Sequence, residues 1–372
     1  TDPAGNTGPT TPAIAPDITA AQTPVIVSVD DDAPATTGPV AQNGLTNDRT
    51  PTINGTGEPG TTITLSSGGT VIGTVLVPAS GVWSITPSSP LADGGHVLTA
   101  TAVDAAGNPS GPSNAWSITV DGTAPEVPVI SQVVDDVQGS TGALTAGAIT
   151  NDPTPTLNGT AEPGSTVTIR LDGVDIGTAL VGSGGAWTFT PGTPIGNGEH
   201  TLTAVTTDAA GNISLPSGGF TFTVDITPPP AATITTVTDD VGDVQGPLTS
   251  GDTTDDTQPL LQGSAPAGTG ITLYDGNTLL GTATLDGTGG WSFTPTTPLT
   301  NGSHSLTVHA TDTAGNTTVS SPFVLVVDTV APATPETPEI TVNPDGGTTE
   351  TPLNPGETTR DTTPTLSGTG NP

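Results

Sequence analysis

The chain has no cysteine and no methionine, and only 3 of its 372 residues are Lys or Arg. Without cysteine no disulfide can staple a domain. Each domain must then build its own core or borrow stability from a metal. Against those 3 cationic residues stand 36 Asp and Glu, for a formal charge of −33. That balance excludes nucleic-acid binding through phosphates, because the cations that would displace counter-ions are missing. It also sets the chain against an anionic membrane surface. No apolar run is long enough to span a bilayer, and there is no signal-peptide pattern. Aromatics make up only 3% of the residues. Strong acidity with few aromatics is a signature of disorder. Here it is opposed by strand-like alternation and by Trp residues that return on schedule. Acids at fixed positions point instead to counter-ions as part of the folded state.

What is present is repetition. Trp83, Trp187 and Trp291 lie 104 residues apart, as do Asn108, Asn212 and Asn316, and Pro51, Pro155 and Pro259. Asp17, Asp121, Asp225 and Asp328 follow at 104, 104 and 103. Three full units are expected at 17–120, 121–224 and 225–327. The end of a preceding unit (1–16) and the start of a following one (328–372) flank them, the pattern of a fragment. A period of this size is that of an independent small domain, not of a solenoid repeat.

Each unit reads as all-β. In the middle one, short runs rich in Val, Ile, Thr and Phe predict strands near Val129–Val133, Pro155–Gly159, Thr166–Leu171, Asp175–Val181, Ala186–Thr190, His200–Thr206 and Phe220–Val224. Thr166-Val167-Thr168-Ile169 alternates polar and apolar, as a strand with one wet face does. Glu162-Pro163-Gly164, Asp172-Gly173 and Asn197-Gly198 supply turn chemistry. The reading is two antiparallel sheets packed face to face. Trp187-Thr188-Phe189 matches Trp291-Ser292-Phe293, with Trp83-Ser84-Ile85 in the first unit. Residues i and i+2 share a sheet face, so these aromatics are read as core rather than as a sugar-stacking platform.

The combined pattern runs Asp-Asp-Val, Asp-x-x-Pro-x-Leu-x-Gly, Gly-x-Trp-x-Phe-x-Pro, Gly-x-His-x-Leu, Asp-x-Ala-Gly-Asn and Val-Asp-x-x-x-Pro. It resembles the bacterial immunoglobulin-like repeats of giant Gram-negative surface adhesins and biofilm-associated proteins, along essentially the whole chain. The resemblance implies tandem seven-stranded antiparallel immunoglobulin-like β-sandwiches in an elongated rod. It also implies a secreted fibre retained at the bacterial surface, with Ca²⁺ at the domain junctions.

Three groups of acids recur. One is the Asp-x-Ala-Gly-Asn loop: Asp2, Asp104, Asp208 and Asp312. The second is the junction: Asp17, Asp121, Asp225 and Asp328. The third is an early pair: Asp31-Asp32, Asp135-Asp136 and Asp239-Asp240. Ca²⁺ takes 6–8 oxygen ligands, and a loop of one domain, a linker carboxylate and a loop of the next supply that kind of set. Carboxylates gathered without a cation repel. All these Asp are therefore expected metal ligands, against the plainer reading of Asp and Asn as turn residues that cap their own backbone. In the fourth unit Pro344-Asp345 takes the place of the pair. Asp48, Asp152, Asp256 and Asp361 are read as turn residues, with metal ligation as the alternative. His96, His200 and His304 follow a Gly-bearing turn and are read as structural.

The expected function is a Ca²⁺-rigidified extender that projects a distal adhesive domain for cell adhesion or biofilm formation. Its partners would be neighbouring repeats, and a host-cell or surface ligand met by other parts of the parent. There would be no nucleic acid and no membrane insertion. The alternative is an Ig-like module that itself binds a carbohydrate or a protein through its loops. An enzyme is not expected. A glycosidase needs two carboxylates in a shaped cleft, and any pair here is repeated in every unit.

Overall fold

The computed structural model describes residues 3–5, 15–34, 36–139, 141–343 and 350–369. They fall into two compact units, Thr1–Thr227 and Pro228–Pro372. The first holds two repeats, and the second holds the third repeat with the opening of a fourth. No helix occurs among the described residues.

The first repeat contains β1 (Val25–Asp31), β2 (Gly38–Pro39), β3 (Gly44–Thr46), β4 (Thr52–Thr56), β5 (Thr62–Ser67), β6 (Thr70–Leu76), β7 (Val82–Ile85), β8 (Gly94–Val103) and β9 (Trp116–Val120). One sheet runs β2-β1-β4-β7 and the other β3-β9-β8-β5-β6. The inward residues of each strand meet between the sheets. In β5 the alternation buries Ile63 and Leu65 completely. They face Ala102 and Ala100 of β8 across the antiparallel ladder. The second repeat reproduces the nine segments. The third adds Thr317–Val319, paired with Gly302–Thr311.

Trp83 lies at the centre of the first core with 1% of its surface exposed, and Trp187 and Trp291 repeat it at 4% each. Each indole packs against the glycine opposite it on the neighbouring strand. A Cβ on Gly55, Gly159 or Gly263 would come within 2.1, 2.2 or 2.3 Å of the ring. Buried indoles offer no face to a sugar, so the core reading holds for all three.

Two features depart from the sequence reading. The first two repeats have nine strands and the third ten rather than seven, because the segment after the first strand contributes two short strands, β2 and β3 in the first repeat. The sheets are also not purely antiparallel. β3 pairs parallel to β9, with Thr46 opposite Val120. The same parallel pairing joins Ile149–Thr150 to Phe220–Val224 and Thr253–Thr254 to Phe323–Val327. This pairing carries a conserved-in-register Thr to the point where the last strand leaves the repeat, and the site is built there.

Candidate metal centre

At the end of β1 the chain turns with Asp31, which is 8% exposed. Its Oδ2 accepts from the hydroxyl of Thr46 at 2.6 Å. The Thr46 oxygen in turn accepts from the backbone N–H of Asp48 at 3.0 Å. Asp48 is itself buried. Its Oδ1 accepts from Thr50 N–H and its Oδ2 from Asp32 N–H, at 2.7 and 3.2 Å. The second repeat repeats the arrangement with Asp135, Thr150, Asp152 and Asp136. The third does so with Asp239, Thr254 and Asp256. In the fourth, Asp361 N–H donates to Thr359 Oγ1 and Asp361 Oδ2 accepts from Asn343 N–H. The Asp48 series is thus the turn-capping set the sequence reading made it, and in the first three repeats it is also buried beside the early acidic pair.

Asp121 begins where β9 ends. Its N–H donates to the carbonyl of Thr46 at 2.9 Å. Its own carbonyl accepts from Nδ2 of Asn212, in the Asp-x-Ala-Gly-Asn loop of the second repeat, at 2.7 Å. The two repeats of the first unit also touch through Thr36 Oγ1, which donates to Ala210 O at 3.3 Å. A cavity of about 350 Å³ lies at this contact, lined by Asp31, Thr36, Thr37, Ala209 and Ala210 among others. The structure therefore gathers Asp31, Asp48, Asp121 and the 208–212 loop at one junction. At the preceding junction Asn108 Nδ2 donates to Asp17 O at 3.2 Å. Asp225 N–H and Asp328 N–H each bond the equivalent Thr carbonyl, at Thr150 and Thr254. Asp2 lies outside the described residues.

The loop Asp residues are heavily engaged within their own loops. Asp208 Oδ1 accepts from the N–H groups of Ala210, Gly211 and Asn212, and Oδ2 from Asn212 Nδ2 at 2.8 Å. Asp312 repeats the pattern. In Asp104 the Asn108 side chain, then the Asn108 N–H, hold the carboxyl below its usual range. These bonds shape the loop and aim the Asn amide at the junction. With three N–H donors on it, Oδ1 of Asp208 or Asp312 is saturated, and only Oδ2, with its single Asn donor, keeps lone-pair capacity.

Among the described residues no three carboxylate or imidazole groups converge tightly enough to enclose a metal. The fit to a cation is tested by the oxygens left without a donor. Asn47 Nδ2 donates to Pro34 O, and Asn151 Nδ2 to Gln138 O, which fixes both amides. Each Oδ1 is then buried with no hydrogen-bond partner. A buried acceptor without a donor costs about 1–3 kcal/mol, and a hard cation takes amide and backbone oxygens as readily as carboxylates. In the third repeat the same place is Asp255. There Asp239, Asp243, Asp252, Asp255 and Asp328 line one cavity of about 620 Å³. Burial raises the Asp256 carboxyl above its usual range, and the charges of Asp240 and Asp239 add to the rise although the Gln258 and Asp240 N–H groups oppose it. Asp256 Oδ2 is buried with no hydrogen-bond partner. The buried oxygens without a donor, Asn47 Oδ1, Asn151 Oδ1 and Asp256 Oδ2, are of the kind a hard divalent cation accepts. Sequence reasoning missed Asn47, Asn151 and Asp255, because one position is filled by Asn twice and Asp once. It also missed Asp243 and Asp252, which replace Gly139 and Ala148 of the second repeat.

The histidines are not drawn into these clusters. His200 Nδ1 meets Asp172 Oδ2 at 2.8 Å and Nε2 meets Gly196 O at 2.9 Å. His304 meets Asp275 and Thr300 O, and His96 meets Ser67 Oγ and Ala92 O.

A family model described as a bacterial Ig-like domain matches residues 21–122, 126–226 and 231–329. The chain is 28% identical over 284 residues to exoglucanase B of Cellulomonas fimi, a match covering 72% of this chain and 23% of that protein. It thus spans about a quarter of that relative. Solved structures include the fibronectin(III)-like modules of CbhA from Clostridium thermocellum, at 18% identity and TM-score 0.32, covering 55% of this chain and 94% of that one. They also include a tetra-tandem repeat from the extending region of a large adhesion protein, at 20% identity and TM-score 0.23, covering 89% and 87%.

Proposed function

The chain belongs to the bacterial Ig-like domain family, and from that premise we propose that it is an extender segment of a bacterial cell-surface adhesin, stiffened by Ca²⁺ between repeats. The observation that carries the reading is the junction at Asp121. There a linker residue is bonded to the repeat before it through Thr46 and to the repeat after it through Asn212. Buried acids and an orphaned Asn47 oxygen stand beside it. Asp31, Asp32, Asp121 and Asp208 would hold the cation at this junction, with Asp17 and Asp104 serving the one before it. Asp135, Asp136 and Asp225 would serve the end of the second repeat, Asp239, Asp240 and Asp328 that of the third, and Asp312 the loop of the third. Bound Ca²⁺ supplies positive charge. Two carboxylates ~5 Å apart near a protein surface repel by roughly 3 kcal/mol, and a cation turns that repulsion into attraction across the linker. The segment would lie outside the cell and hold a distal adhesive domain away from the surface.

Calorimetric titration of Ca²⁺ into chelator-stripped protein, with Mg²⁺ as control, tests the proposal. The expected result is saturable, Ca²⁺-selective binding of about one ion or more per junction, weakened in Asp121→Ala. Small-angle scattering with and without chelator should show greater interdomain flexibility without Ca²⁺ while the domains stay folded. No saturable binding at millimolar Ca²⁺ or below overturns the cation part. Saturable glycan binding by a single repeat would favour a ligand-binding module instead.

A further inference from the structure

Residues 93, 197 and 301 occupy the same place in the three repeats, just before the Gly that opens the long strand, and they are Asp, Asn and Asn. As Asp-Gly and Asn-Gly they read as plain turn chemistry. Their side chains, however, reach about thirty residues along the chain to the linker. Asp93 Oδ1 accepts from Gly122 N–H at 2.9 Å and Oδ2 from Thr123 Oγ1 at 2.6 Å. Asn197 Oδ1 accepts from Ile226 N–H at 3.0 Å, and its Nδ2 donates to Thr227 Oγ1 at 2.7 Å. Asn301 Oδ1 accepts from Thr329 N–H and Oγ1 at 3.3 and 2.9 Å. In every repeat the residue gripped is the one that follows the junction Asp.

We propose that Asp93, Asn197 and Asn301 are positioning residues that clamp the outgoing linker to its own repeat, independently of any cation. At the first junction the grip has two sides. Asp93 holds residues 122 and 123 from the preceding repeat, while Asn212 holds the Asp121 carbonyl from the following one. The linker is therefore ordered by neutral and charge-assisted hydrogen bonds before charge neutralisation acts on it.

The first clamp is built differently from the others. Arg49 pairs with Asp93 at 2.7 Å. Its guanidinium lies over Gly122, where a Cβ would come within 2.1 Å of Nε. In the other repeats the Arg is Pro153 or Thr257, and Gly122 becomes Ile226 or Thr329. Cation, carboxylate and glycine thus occur together or not at all. The Thr123 hydroxyl, then the Gly122 N–H, hold the Asp93 carboxyl below its usual range, with Arg49 contributing less.

Hydrogen exchange by mass spectrometry on the chelator-treated full chain tests the clamp. Wild-type peptides spanning 121–124 should exchange at least about tenfold more slowly than a free chain, the protection a hydrogen bond of ordinary strength gives. Asp93→Ala should raise exchange there by about tenfold and leave 225–229 unchanged. Asn197→Ala should do the reverse. Asp93→Asn keeps an acceptor for Gly122 and should restore protection to within about twofold, also where Asp93→Ala loosens the whole repeat. Peptides from β5 and β8 report that the core stays folded. Free-chain exchange at 121–124 in chelator-treated wild type overturns the clamp, as does Asp93→Asn exchanging as fast as Asp93→Ala. Neither outcome bears on Ca²⁺ binding, since no Ca²⁺ is present.

Discussion

His200 and His304 each set both ring nitrogens against acceptors, a carboxylate on one side and a backbone carbonyl on the other. Only the doubly protonated ring donates to both. Burial opposes that charge. For His200 the Asp172 bond, the Gly196 carbonyl and the Asp172 charge outweigh burial, and the pKa is raised. His304 is raised in the same way by Asp275 and Thr300. A raised folded-state pKa adds stability that is complete below the unfolded value near 6.5 and is lost as pH climbs through the folded value. The second and third repeats should therefore lose urea resistance between mildly acidic and mildly alkaline pH. Asp172→Asn should flatten that slope in the second repeat. A slope unchanged by Asp172→Asn would show that the pair does not set it. In the first repeat His96 meets the neutral hydroxyl of Ser67 where the others meet a carboxylate.

At the scale of an element, the short parallel strand earns its place through one threonine. Thr150 is fully buried, donates to the Asp135 carboxylate and accepts from Asp152 N–H. Thr150→Val keeps the shape and removes both bonds. It leaves a carboxylate that is 1% exposed without that donor. We expect a loss of about 1–3 kcal/mol in urea unfolding, and a change within 0.5 kcal/mol would contradict this account. The longer strands were legible in the sequence. Thr166–Leu171 and Phe220–Val224 occur as read, because their alternation and β-branched content report a half-buried strand directly. Gly142–Ala143 and Ile149–Thr150 were not legible, since two residues carry no periodicity. Their pairing is set by Asp135 and by the exit of the last strand. The candidate site was legible in part for the same reason. Carboxylates leave a mark in sequence, and backbone carbonyls do not. Asp93 and Asn197 hid behind different residue types in the same turn.

At the scale of the molecule, the repeats have separate cores. The clusters around Trp83, Trp187 and Trp291 share no residue. Stability should therefore be lost repeat by repeat rather than all at once. Trp187→Ala removes a side chain that is 4% exposed. It should cost about 3–5 kcal/mol, and the cost should be confined to the second repeat. Hydrogen-exchange protection mapped across the chain would show this as a drop within 121–224 and unchanged core strands in the other two repeats. Equal losses in all three would mean that the repeats fold as one cooperative body.

The last strand of a repeat is also the one that leads into the linker. In the first repeat β9 is hydrogen-bonded on both edges, to β3 in parallel and to β8 in antiparallel. A tensile load passed down the chain pulls β9 along its own axis. The bonds on both flanks lie across that axis, so they must slide together in shear and cannot open one after another like a zip. A repeat with a bare edge at that position would yield one ladder at a time. The short parallel strand, β3 in the first repeat and Ile149–Thr150 and Thr253–Thr254 in the others, gives each repeat a second line of resistance at the place where force enters it.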